Sequence, residues 1–470
     1  MSAGLDRLFA LQRAAFARER YPSLQTRRDR LARLLQVLTD HEREFVAAVD
    51  RDFGGRSAHE TRLAELYIVA SEIVDARRNL ARWMRSERVA TPLHLQPARA
   101  RVERQPVGVV GIVSPWNYPV QLALAPVVGA LAAGNRVLLK PSEVTAATSQ
   151  LLRDLIAKAF AEDEFAVVLG DAAVGEAFTR LAFDHLFFTG STAVGRAVAR
   201  AAAENLTPVT LELGGKSPVL IAPDADIASA APRVMVGKLL NAGQTCIAPD
   251  YALVPEGSVD GFVAAIERAT AQLYPSYAGN ADYTAIVNAR HLSRLQLLVA
   301  DAKSRGARIV ELNPARESIA AGSRKMLPTL VVDADDSMAI MREEIFGPVL
   351  PIETYTTLDD AIARINARPR PLAFYYFGRD GLRMGKVLAE TIAGGVTVND
   401  TLWHFAHKNL PFGGVGASGI GAYHGEASFL AFTHRKPVFV QPRFAATRML
   451  YPPYGRKFER VLALLKKLNG

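Results

Sequence analysis

The sequence predicts an α/β protein with a doubly wound parallel sheet followed by a second α/β region. Short apolar runs alternate with alanine-rich helical segments from about residue 106 onwards, the pattern of successive βαβ units. The 470 residues are 49% hydrophobic and 22% charged, which suits two or three globular domains. The single cysteine excludes a disulfide scaffold and a structural zinc site with several thiolates.

The first hundred residues are predicted to be amphipathic helix that leads into an extended segment. Apolar residues recur at helical spacing from Leu31 to Val49 and again from Leu63 to Val74. The polar, proline-punctuated segment Thr91–Arg104 is expected to be an arm or a hairpin.

Buried strands and intervening helices are predicted in both α/β regions. The first region has strands at Gly108–Val113, Arg136–Lys140, Phe165–Leu169 and His185–Phe188, with helices such as Ala146–Ala161 and Gly195–Asn205. The second has strands at Val219–Ile221, Tyr251–Val254 and Leu330–Val332, with helices at Val259–Gln272 and Ala289–Ser304. Ligands of such sheets bind at the carboxyl ends of the strands, so ligand-binding and reactive residues are expected in the turns that follow them.

Charge and hydropathy exclude several function classes. The net charge of +9 is spread along the chain, which favours a generally basic surface over a nucleic-acid site. No apolar leader precedes the charged N-terminal sequence, and Val107–Val113 falls far short of the ~20 residues of a membrane span, so a cytoplasmic location is expected. His404 and His407 have a metal-compatible spacing but no third ligand, so no metal is expected.

Cys246 is the candidate nucleophile. A lone cysteine is by default a small buried hydrophobe. Cys246, however, lies among small and polar residues in NAGQTCIAP at 241–249. A tight polar turn at a cleft is a place where a reactive thiolate can be stabilised and reached.

Two further residues suit a reaction through an acyl-thioester. Glu212 lies between apolar residues at the end of a strand-like run, with two glycines following, so burial is expected to raise its pKa towards that of a general base. Asn117 lies in a turn held by two prolines, where its amide can be a rigid oxyanion donor. The alternatives are a solvent-facing Glu212 on an edge strand and an Asn117 that only shapes its turn.

A phosphate site is predicted in the turn after His185–Phe188. This turn reads strand, Gly-x-x-x-x-Gly, helix, with glycines at 190 and 195, so helix N-terminal amides can hold a pyrophosphate. It is not the G-x-G-x-x-G fingerprint, and a plain βα turn is an equal alternative. Lys140 and Glu143 could hold a ribose, or form an exposed ion pair of little consequence.

Together, the motifs resemble those of the aldehyde dehydrogenase superfamily, in the family's order from about residue 106 to 437. They are PWNYP at 115–119, KPSE at 140–143, FTGST at 188–192, ELGGKSP at 212–218, GQTCIAPDY at 243–251, EEIFGPV at 343–349 and LPFGGVGASGIGAYHG at 410–425. GQTCIAPDY and GAYHG resemble the class 3 and fatty-aldehyde branch. NDTLWHFAH at 399–407 and DFGGRS at 52–57 are most similar to coniferyl-aldehyde dehydrogenases.

The resemblance implies NAD(P)-dependent oxidation of an aldehyde to the acid through a thiohemiacetal and a thioester. Cys246 would be the nucleophile, Glu212 the general base, and the Asn117 amide with the Cys246 N–H the oxyanion hole. The implied cofactor contacts are Trp116, Lys140, Ser142, Glu143, Gly190, Ser191, Gly195, Glu344 and Phe346. Without the resemblance, Glu343 and Glu344 would be interpreted as a charge pair at a helix start. NAD is favoured because Glu143 would repel a 2′-phosphate, with NADP as the alternative.

The resemblance also implies substrate, domains and assembly. An aromatic aldehyde such as coniferaldehyde is favoured, with Tyr118, Trp403, His404 and Phe405 as its pocket. The expected domains are a Rossmann-like dinucleotide-binding domain (1–90 and 105–212), a cysteine domain (213–398), and oligomerisation segments (91–104 and 399–445) that form a small β arm. A homodimer is expected through the Thr91–Arg104 arm and the C-terminal segment.

Several alternatives stay open. The substrate could be a long-chain fatty aldehyde. A relative that passes the acyl group to coenzyme A would not need Glu212, and a non-catalytic member would not need Cys246 and Asn117. Residues 446–470 form an amphipathic tail whose basic helix can lie on an anionic membrane, although this contact is not expected, and packing on a partner subunit or over the substrate entrance is as good an interpretation.

Overall fold

The computed structural model describes residues 2–469 and begins with a helical layer. Its helices are α1 (Ser2–Arg18), α2 (Leu24–Asp40), α3 (Glu42–Phe53), α4 (Ala58–Glu60), which continues through a π-helical turn at Thr61–Tyr67, and α5 (Ile68–Trp83). Ser23 caps α2 by accepting a hydrogen bond from the Thr26 N–H, and Gly54 ends α3 with a left-handed φ of 64°. The two predicted helical stretches are confirmed, with a break at His41 between α2 and α3.

A three-stranded antiparallel arm follows. It consists of β1 (Glu87–Val89), β2 (Arg99–Pro106) and β16 (Thr433–Val440), in the order β1-β2-β16. The predicted arm or hairpin is therefore confirmed, and its third strand comes from the far end of the sequence. The backbone edge of β16 that faces away from β2 has no strand partner among residues 2–469.

The first large sheet has six strands in the order β15-β7-β6-β3-β4-β5, all parallel except β15. The strands are β3 (Val109–Val113), β4 (Arg136–Lys140), β5 (Phe165–Val167), β6 (His185–Thr189), β7 (Val209–Glu212) and β15 (Gly419–Ile420). The connecting helices are α6 (Gln121–Ala133), α7 (Ala146–Ala159), α8 (Ala172–Thr179) and α9 (Thr192–Ala203). The predicted α/β fold class is confirmed. The two-residue strand β15 has no periodicity from which it could be predicted.

The second large sheet has seven strands in the order β10-β11-β12-β9-β8-β13-β14, with only β10 antiparallel. The strands are β8 (Pro218–Ile221), β9 (Tyr251–Pro255), β10 (Arg308–Glu311), β11 (Thr329–Val332), β12 (Val349–Tyr355), β13 (Ala373–Phe377) and β14 (Gly395–Val398). Its helices are α10 (Ile227–Leu239), α11 (Val259–Leu273), α12 (Ala289–Ser304), α13 (Ala339–Arg342), α14 (Leu358–Ala367) and α15 (Gly381–Glu390). The remaining helices are α16 (Trp403–Ala406), α17 (Gly425–Ala431) and α18 (Arg456–Asn469).

Helix α6 is the centre of the N-terminal packing. Every one of its residues is buried, and it contacts α2, α5 and α17. A helix that is apolar all round needs partners on all sides, which these helices and the first sheet supply. Gly129 lets α17 approach, because a Cβ there would lie 2.5 Å from the Cβ of Ser428. In residues 2–469 no helix combines the length and hydropathy required to cross a membrane.

Gly129→Ala is expected to lower the free energy of unfolding by about 1–3 kcal/mol, because the added methyl overpacks the contact between α6 and α17. The matched control is Gly261→Ala in α11, where an added Cβ would meet nothing within 4 Å. That control should instead raise the free energy of unfolding by about 0.4–1 kcal/mol. Urea unfolding measures both, and equal effects would contradict the packing role of Gly129.

Candidate active site

A cavity of about 650 Å³ opens at the carboxyl ends of β3, β6 and β7. The turns after these strands form one side, and the Cys246 loop, the start of α12 and the segment after α13 form the other. Among its lining residues are Trp116, Asn117, Gly190, Ser191, Glu212, Cys246, His291, Arg294, Glu344 and Phe346. The three predicted catalytic residues therefore share one cavity with five of the predicted cofactor residues.

The Cys246 loop has an unusual backbone. Asn241 and Ala242 both have positive φ, at 53° and 52°, and Gly243 follows at 76°. Non-glycine residues persist in this region only where surrounding contacts hold them. One such contact is the Asn241 N–H, which donates to the buried Glu60 carboxyl at 3.0 Å. The α4 segment thus fixes the loop that presents the thiol.

Asn117 is tied to the same loop. Its side-chain Nδ2 donates to the Gln244 carbonyl at 3.1 Å. Its own carbonyl accepts from Asn241 Nδ2 at 2.9 Å and from Arg56 Nη1 at 2.8 Å. Because Nδ2 carries two hydrogens, one N–H remains to stabilise an oxyanion on a substrate bound to Cys246.

Arg56 supports this arrangement and was not predicted as a site residue. Its guanidinium is buried 4.7 Å from the Phe53 ring and 4.9 Å from the Tyr118 ring, and it pairs with the Glu65 carboxyl at 3.4 Å. Arg56 lies in the motif DFGGRS at 52–57, which was used only to compare the chain with branches of the family. A buried, paired arginine is a rigid donor. The Asn117 carbonyl is therefore fixed by Arg56 as well as by Asn241 of the Cys246 loop.

Glu212 ends β7, opposite Gly419 of β15. Its side chain is 2% exposed, and neither carboxyl oxygen has a hydrogen-bond partner in the described chain. Burial therefore raises the pKa of Glu212 well above its ordinary value, as its apolar neighbours predicted. A carboxyl with a raised pKa keeps its proton to a higher pH, and its deprotonated fraction, the form that can act as a base, grows as the pH rises.

The expected stabilisation of a Cys246 thiolate by its turn is wrong. Burial raises the pKa of the thiol, and the Glu344 and Glu212 carboxyls raise it further. The backbone N–H groups of Cys246 and Ile247 act in the opposite direction but do not prevail. The resting group is therefore a thiol, and attack requires a base in the cavity to remove its proton.

The turn from β6 into α9 has the form of a phosphate site. Ser191 caps the helix, its hydroxyl accepting from the Val194 N–H at 3.4 Å. Gly190 and Ser191 line the cavity at the N-terminus of this twelve-residue helix, where free N–H groups favour an anion. Gly195 has a different reason to be glycine, since a Cβ there would lie 2.5 Å from the Leu213 side chain.

Lys140, Ser142 and Glu143 lie at the neighbouring strand end, outside the lining of this cavity. In the register of β3 and β4, Val113 pairs with Lys140, so these residues share a sheet edge with the Asn117 turn. Lys140 Nζ donates to the Glu143 carboxylate at 2.7 Å, and the Ser142 hydroxyl accepts from the backbone two residues on. Their part in cofactor binding stays a prediction.

Aromatic rings form another wall of the cavity. The Trp116 ring lies 5.3 Å from Phe346 and 5.0 Å from His291, measured between centroids. Phe346 has a φ of 53°, so its backbone is held in a strained conformation at the site. His291 was not predicted, because a histidine at the start of an ordinary amphipathic helix gives no signal in the sequence.

Glu344 lies beyond the end of α13 at Arg342, so the alternative interpretation of a charge pair at a helix start is wrong. Burial and the Asp250 carboxylate raise the pKa of Glu344 to about 8, although the Gly215 N–H and nearby cations oppose this. One of its oxygens is buried without a hydrogen-bond partner in the described chain. An acceptor of this kind fits a ribose hydroxyl.

The four predicted substrate residues are not brought to one place. The Tyr118 hydroxyl is buried and hydrogen-bonds Thr245 beside Cys246 at 2.7 Å. Trp403 is 64% exposed, and Phe405 lines a separate cavity. His404 is buried with its Nδ1 2.7 Å from the hydroxyl of Thr397 on β14, so it supports that strand and does not line the cavity around Cys246.

Comparison with known proteins decides the family. The sequence profile of the aldehyde dehydrogenase family matches residues 2–438. The chain belongs to the aldehyde dehydrogenase family. It is 50% identical over 459 residues to a probable coniferyl aldehyde dehydrogenase of Pseudomonas aeruginosa, covering 97% of this chain and 95% of that one. It is 40% identical to aldehyde dehydrogenase family 3 member B1 of Rattus norvegicus, covering 96% and 95%.

A solved relative has the same fold as this chain. A structure described as the substrate-bound state of Staphylococcus aureus AldH superimposes with a TM-score of 0.93 at 39% identity, covering 98% of this chain and 99% of that one. The predicted resemblance and its class 3 character are thus confirmed. The protein is an oxidoreductase that uses NAD(P) to oxidise an aldehyde to the acid.

Glu212→Gln is expected to retain a burst of NADH but to lower steady-state turnover by about 10²–10⁴-fold, because the amide cannot activate water. In the unchanged protein, turnover should rise with pH as the raised-pKa carboxyl loses its proton, and Glu212→Gln should lose that rise. Stopped-flow absorbance at 340 nm measures both phases. Cys246→Ala is the contrasting variant, with neither burst nor turnover but with cofactor binding retained. Loss of the burst in Glu212→Gln would instead assign Glu212 to thiol activation.

Proposed function

We propose that this aldehyde dehydrogenase acts on aromatic aldehydes of the coniferaldehyde type and prefers NAD to NADP. The supporting observation is the 50% identity, along nearly the whole chain, to a probable coniferyl aldehyde dehydrogenase.

The residues present fit a bound dinucleotide. The α9 N-terminus would hold the pyrophosphate, and Glu344 would accept a hydrogen bond from a ribose hydroxyl. The Thr189 hydroxyl, buried on the same side and unpartnered in the described chain, is a further group for a ligand to satisfy. When bound, the nicotinamide supplies the acceptor for the hydride of the aldehyde.

Cys246, Asn117 and Glu212 then perform the protein's part. The Cys246 thiol gives its proton to solvent water, the sulfur bonds to the aldehyde carbon, and the Asn117 amide and the Cys246 N–H stabilise the oxygen of the thiohemiacetal. Loss of hydride leaves a thioester on Cys246. Glu212 takes a proton from water, the water oxygen attacks the thioester carbon, and the C–S bond breaks to give the acid and the Cys246 thiolate; Glu212 then returns its proton to the sulfur, which restores the resting thiol.

One structural feature argues against a second enzyme function, and another favours a third. Transfer of the acyl group to coenzyme A needs no water-activating base, so the buried Glu212 favours hydrolysis. Oxidation of long-chain aldehydes at a membrane surface is favoured by α18, a helix with both a basic and an apolar side, preceded by the exposed Tyr451 and Tyr454. The high identity to a probable coniferyl aldehyde dehydrogenase outweighs that second candidate.

We also propose that the protein is a homodimer. We propose the same division into a dinucleotide-binding domain, a cysteine domain and oligomerisation segments as the sequence predicted. The free edge of β16 carries half-exposed Phe439 and Val440, and an unprotected apolar edge strand is a ready pairing surface. The division at residue 212 follows the change from the first sheet to the second, with β15 returning from the bridging segment 399–445 to the first sheet.

The substrate proposal predicts a higher kcat/KM for coniferaldehyde than for benzaldehyde, hexanal or a long-chain aldehyde, measured by NADH formation at 340 nm. A margin of at least about tenfold over hexanal is expected from the added aromatic contacts. Preference for the long-chain aldehyde would overturn the proposal in favour of the membrane-surface function. Thioester release that depended on added coenzyme A would overturn it in favour of acyl transfer.

The cofactor proposal predicts that Glu143→Gln narrows the preference for NAD over NADP by about three- to tenfold, because it removes a charge that repels the 2′-phosphate. Although partial burial opposes it, the hydrogen bond from Lys140 lowers the pKa of Glu143, so this carboxyl is charged near neutral pH. The control is Glu176→Gln. Glu176 is an exposed carboxylate on α8 that pairs with Arg180 just after the helix. An unchanged ratio of the two kcat/KM values in Glu143→Gln would contradict the proposal.

A further inference from the structure

The segment 340–346, which brings Glu344 and Phe346 to the active-site cavity, is held by side chains from other parts of the chain. It runs from α13 towards β12. The carbonyls of three consecutive residues, Glu343, Glu344 and Ile345, accept hydrogen bonds from side chains. Because backbone carbonyls outside helices and strands still need partners, these side chains decide where the segment lies.

Lys216 is the first of these side chains. It lies in the turn after β7, four residues beyond Glu212, and its side chain is largely buried. Its Nζ donates to the carbonyls of Ile340 at 2.8 Å and Glu343 at 3.0 Å, and to the Asp250 carboxylate. Since an ammonium has three N–H groups, all the donors of Lys216 are used at this one place.

Asp250 and Arg294 bind the same segment. Asp250 is buried four residues beyond Cys246, and its Oδ1 accepts from the Ile345 N–H at 2.9 Å. Arg294 on α12 donates through Nη1 to the Glu344 carbonyl at 3.2 Å and through Nη2 to the Ile345 carbonyl. Three separate parts of the chain therefore fix one short stretch of backbone, and two of them also carry the proposed base and nucleophile.

The segment lies directly against both of those parts. A Cβ on Gly214, in the turn after β7, would overlap the carboxyl oxygens of Glu344. A Cβ on Gly243, in the Cys246 loop, would overlap the carbonyl oxygen of Gly347. One Glu344 oxygen is buried without a hydrogen-bond partner in residues 2–469. The position of this acceptor is therefore set by where the segment is held.

The end of the segment is strained. Phe346 has a φ of 53°, and its ring lies 5.3 Å from the Trp116 ring, measured between centroids. A non-glycine residue keeps such a backbone only where surrounding contacts hold it. The hydrogen bonds from Lys216, Asp250 and Arg294 supply that restraint immediately before Phe346.

We propose that Lys216, Asp250 and Arg294 are positioning residues that form a clamp on the 340–346 segment and so set the affinity for the nicotinamide riboside half of the cofactor. The clamp acts through Glu344, whose carboxyl it holds in place to accept from a ribose hydroxyl. That ribose is the one attached to nicotinamide, because the segment lies against the Cys246 loop, where the hydride is transferred. Lys216 and Asp250 lie outside the lining of the cavity, so their effect is exerted through the segment.

The clamp rests on the proposed assignment of Glu344 to the cofactor and not on the coniferaldehyde preference. Isothermal titration calorimetry of the full-length protein without aldehyde measures the Kd of NAD and of ADP, which has the pyrophosphate but lacks the nicotinamide ribose. The variants are Arg294→Gln, Lys216→Met, Glu344→Ala and the double variant of Arg294→Gln with Glu344→Ala. The control is Arg290→Gln. Arg290 is exposed one turn earlier on α12 and does not line the cavity.

Arg294→Gln and Lys216→Met should each raise the Kd of NAD at least about tenfold, while the Kd of ADP changes by less than about twofold. The double variant should bind NAD no more weakly than Glu344→Ala alone, because a clamp that acts through one carboxyl has no effect once that carboxyl is absent. Arg290→Gln should leave both Kd values unchanged. A merely structural role would not separate NAD from ADP.

Three outcomes overturn the clamp. The first is an unchanged Kd of NAD in either Arg294→Gln or Lys216→Met. The second is an equal loss of affinity for NAD and ADP, which would mean that Arg294 acts on the phosphates by its charge. The third is that the losses from Arg294→Gln and Glu344→Ala add in the double variant.

Two further results are also decisive. If Lys216→Met does not fold, Arg294→Gln decides alone, because the Arg294 side chain is 32% exposed and its replacement disturbs less of the core. If the unchanged protein binds no NAD, the cofactor assignment itself is overturned and the clamp with it. That failure is distinguishable, because it occurs without any substitution.

Discussion

The active site depends on one hydrogen-bonded junction between the N-terminal helices and the second α/β region. The Asn117 carbonyl accepts from both Arg56 and Asn241, so the turn after β3 and the Cys246 loop are fixed to each other. Arg56 is in turn paired with Glu65, whose carboxyl also accepts from the N–H of Val120 at 2.6 Å at the entry to α6. Breaking a buried pair of this kind by removing one partner commonly costs about 3–5 kcal/mol. The geometry of thiol and oxyanion donor is therefore a property of three segments that are distant in sequence.

Burial sets the electrostatics of the site more than charge pairing does. Glu212 and Glu344 have raised pKa values chiefly because their carboxyls are out of water, and the thiol of Cys246 is raised for the same reason. Raised pKa values favour the neutral form of these three groups. Each carboxyl becomes a base, and the thiol a nucleophile, when its proton is removed. The removal and return of protons are therefore central to this cavity.

Much of the fold, and the turns that carry the three residues proposed as catalytic, could be predicted from local patterns. The parallel strands are short apolar runs between turns, and the helices carry their own periodicity, so each element is encoded within about fifteen residues. Cys246, Glu212 and Asn117 lie in turns at strand ends or next to glycines, where the local sequence is itself unusual. Motifs in family order then predicted that these turns act together, and the shared cavity and the family match agree with that prediction.

Other features depended on contacts between segments hundreds of residues apart. Neither β15 nor the third arm strand β16 has a local signal that identifies its partner, because pairing is chosen by the surface already formed by β7 or β2. The expected stabilisation of a Cys246 thiolate was wrong because its turn, although polar in sequence, is buried enough to raise the pKa of the thiol. The sequence by itself determined which segments are strands and helices and which turns carry reactive groups. Only the tertiary structure decided how those groups ionise and what surrounds them, because burial and distance are set by packing between segments and not by neighbours along the chain.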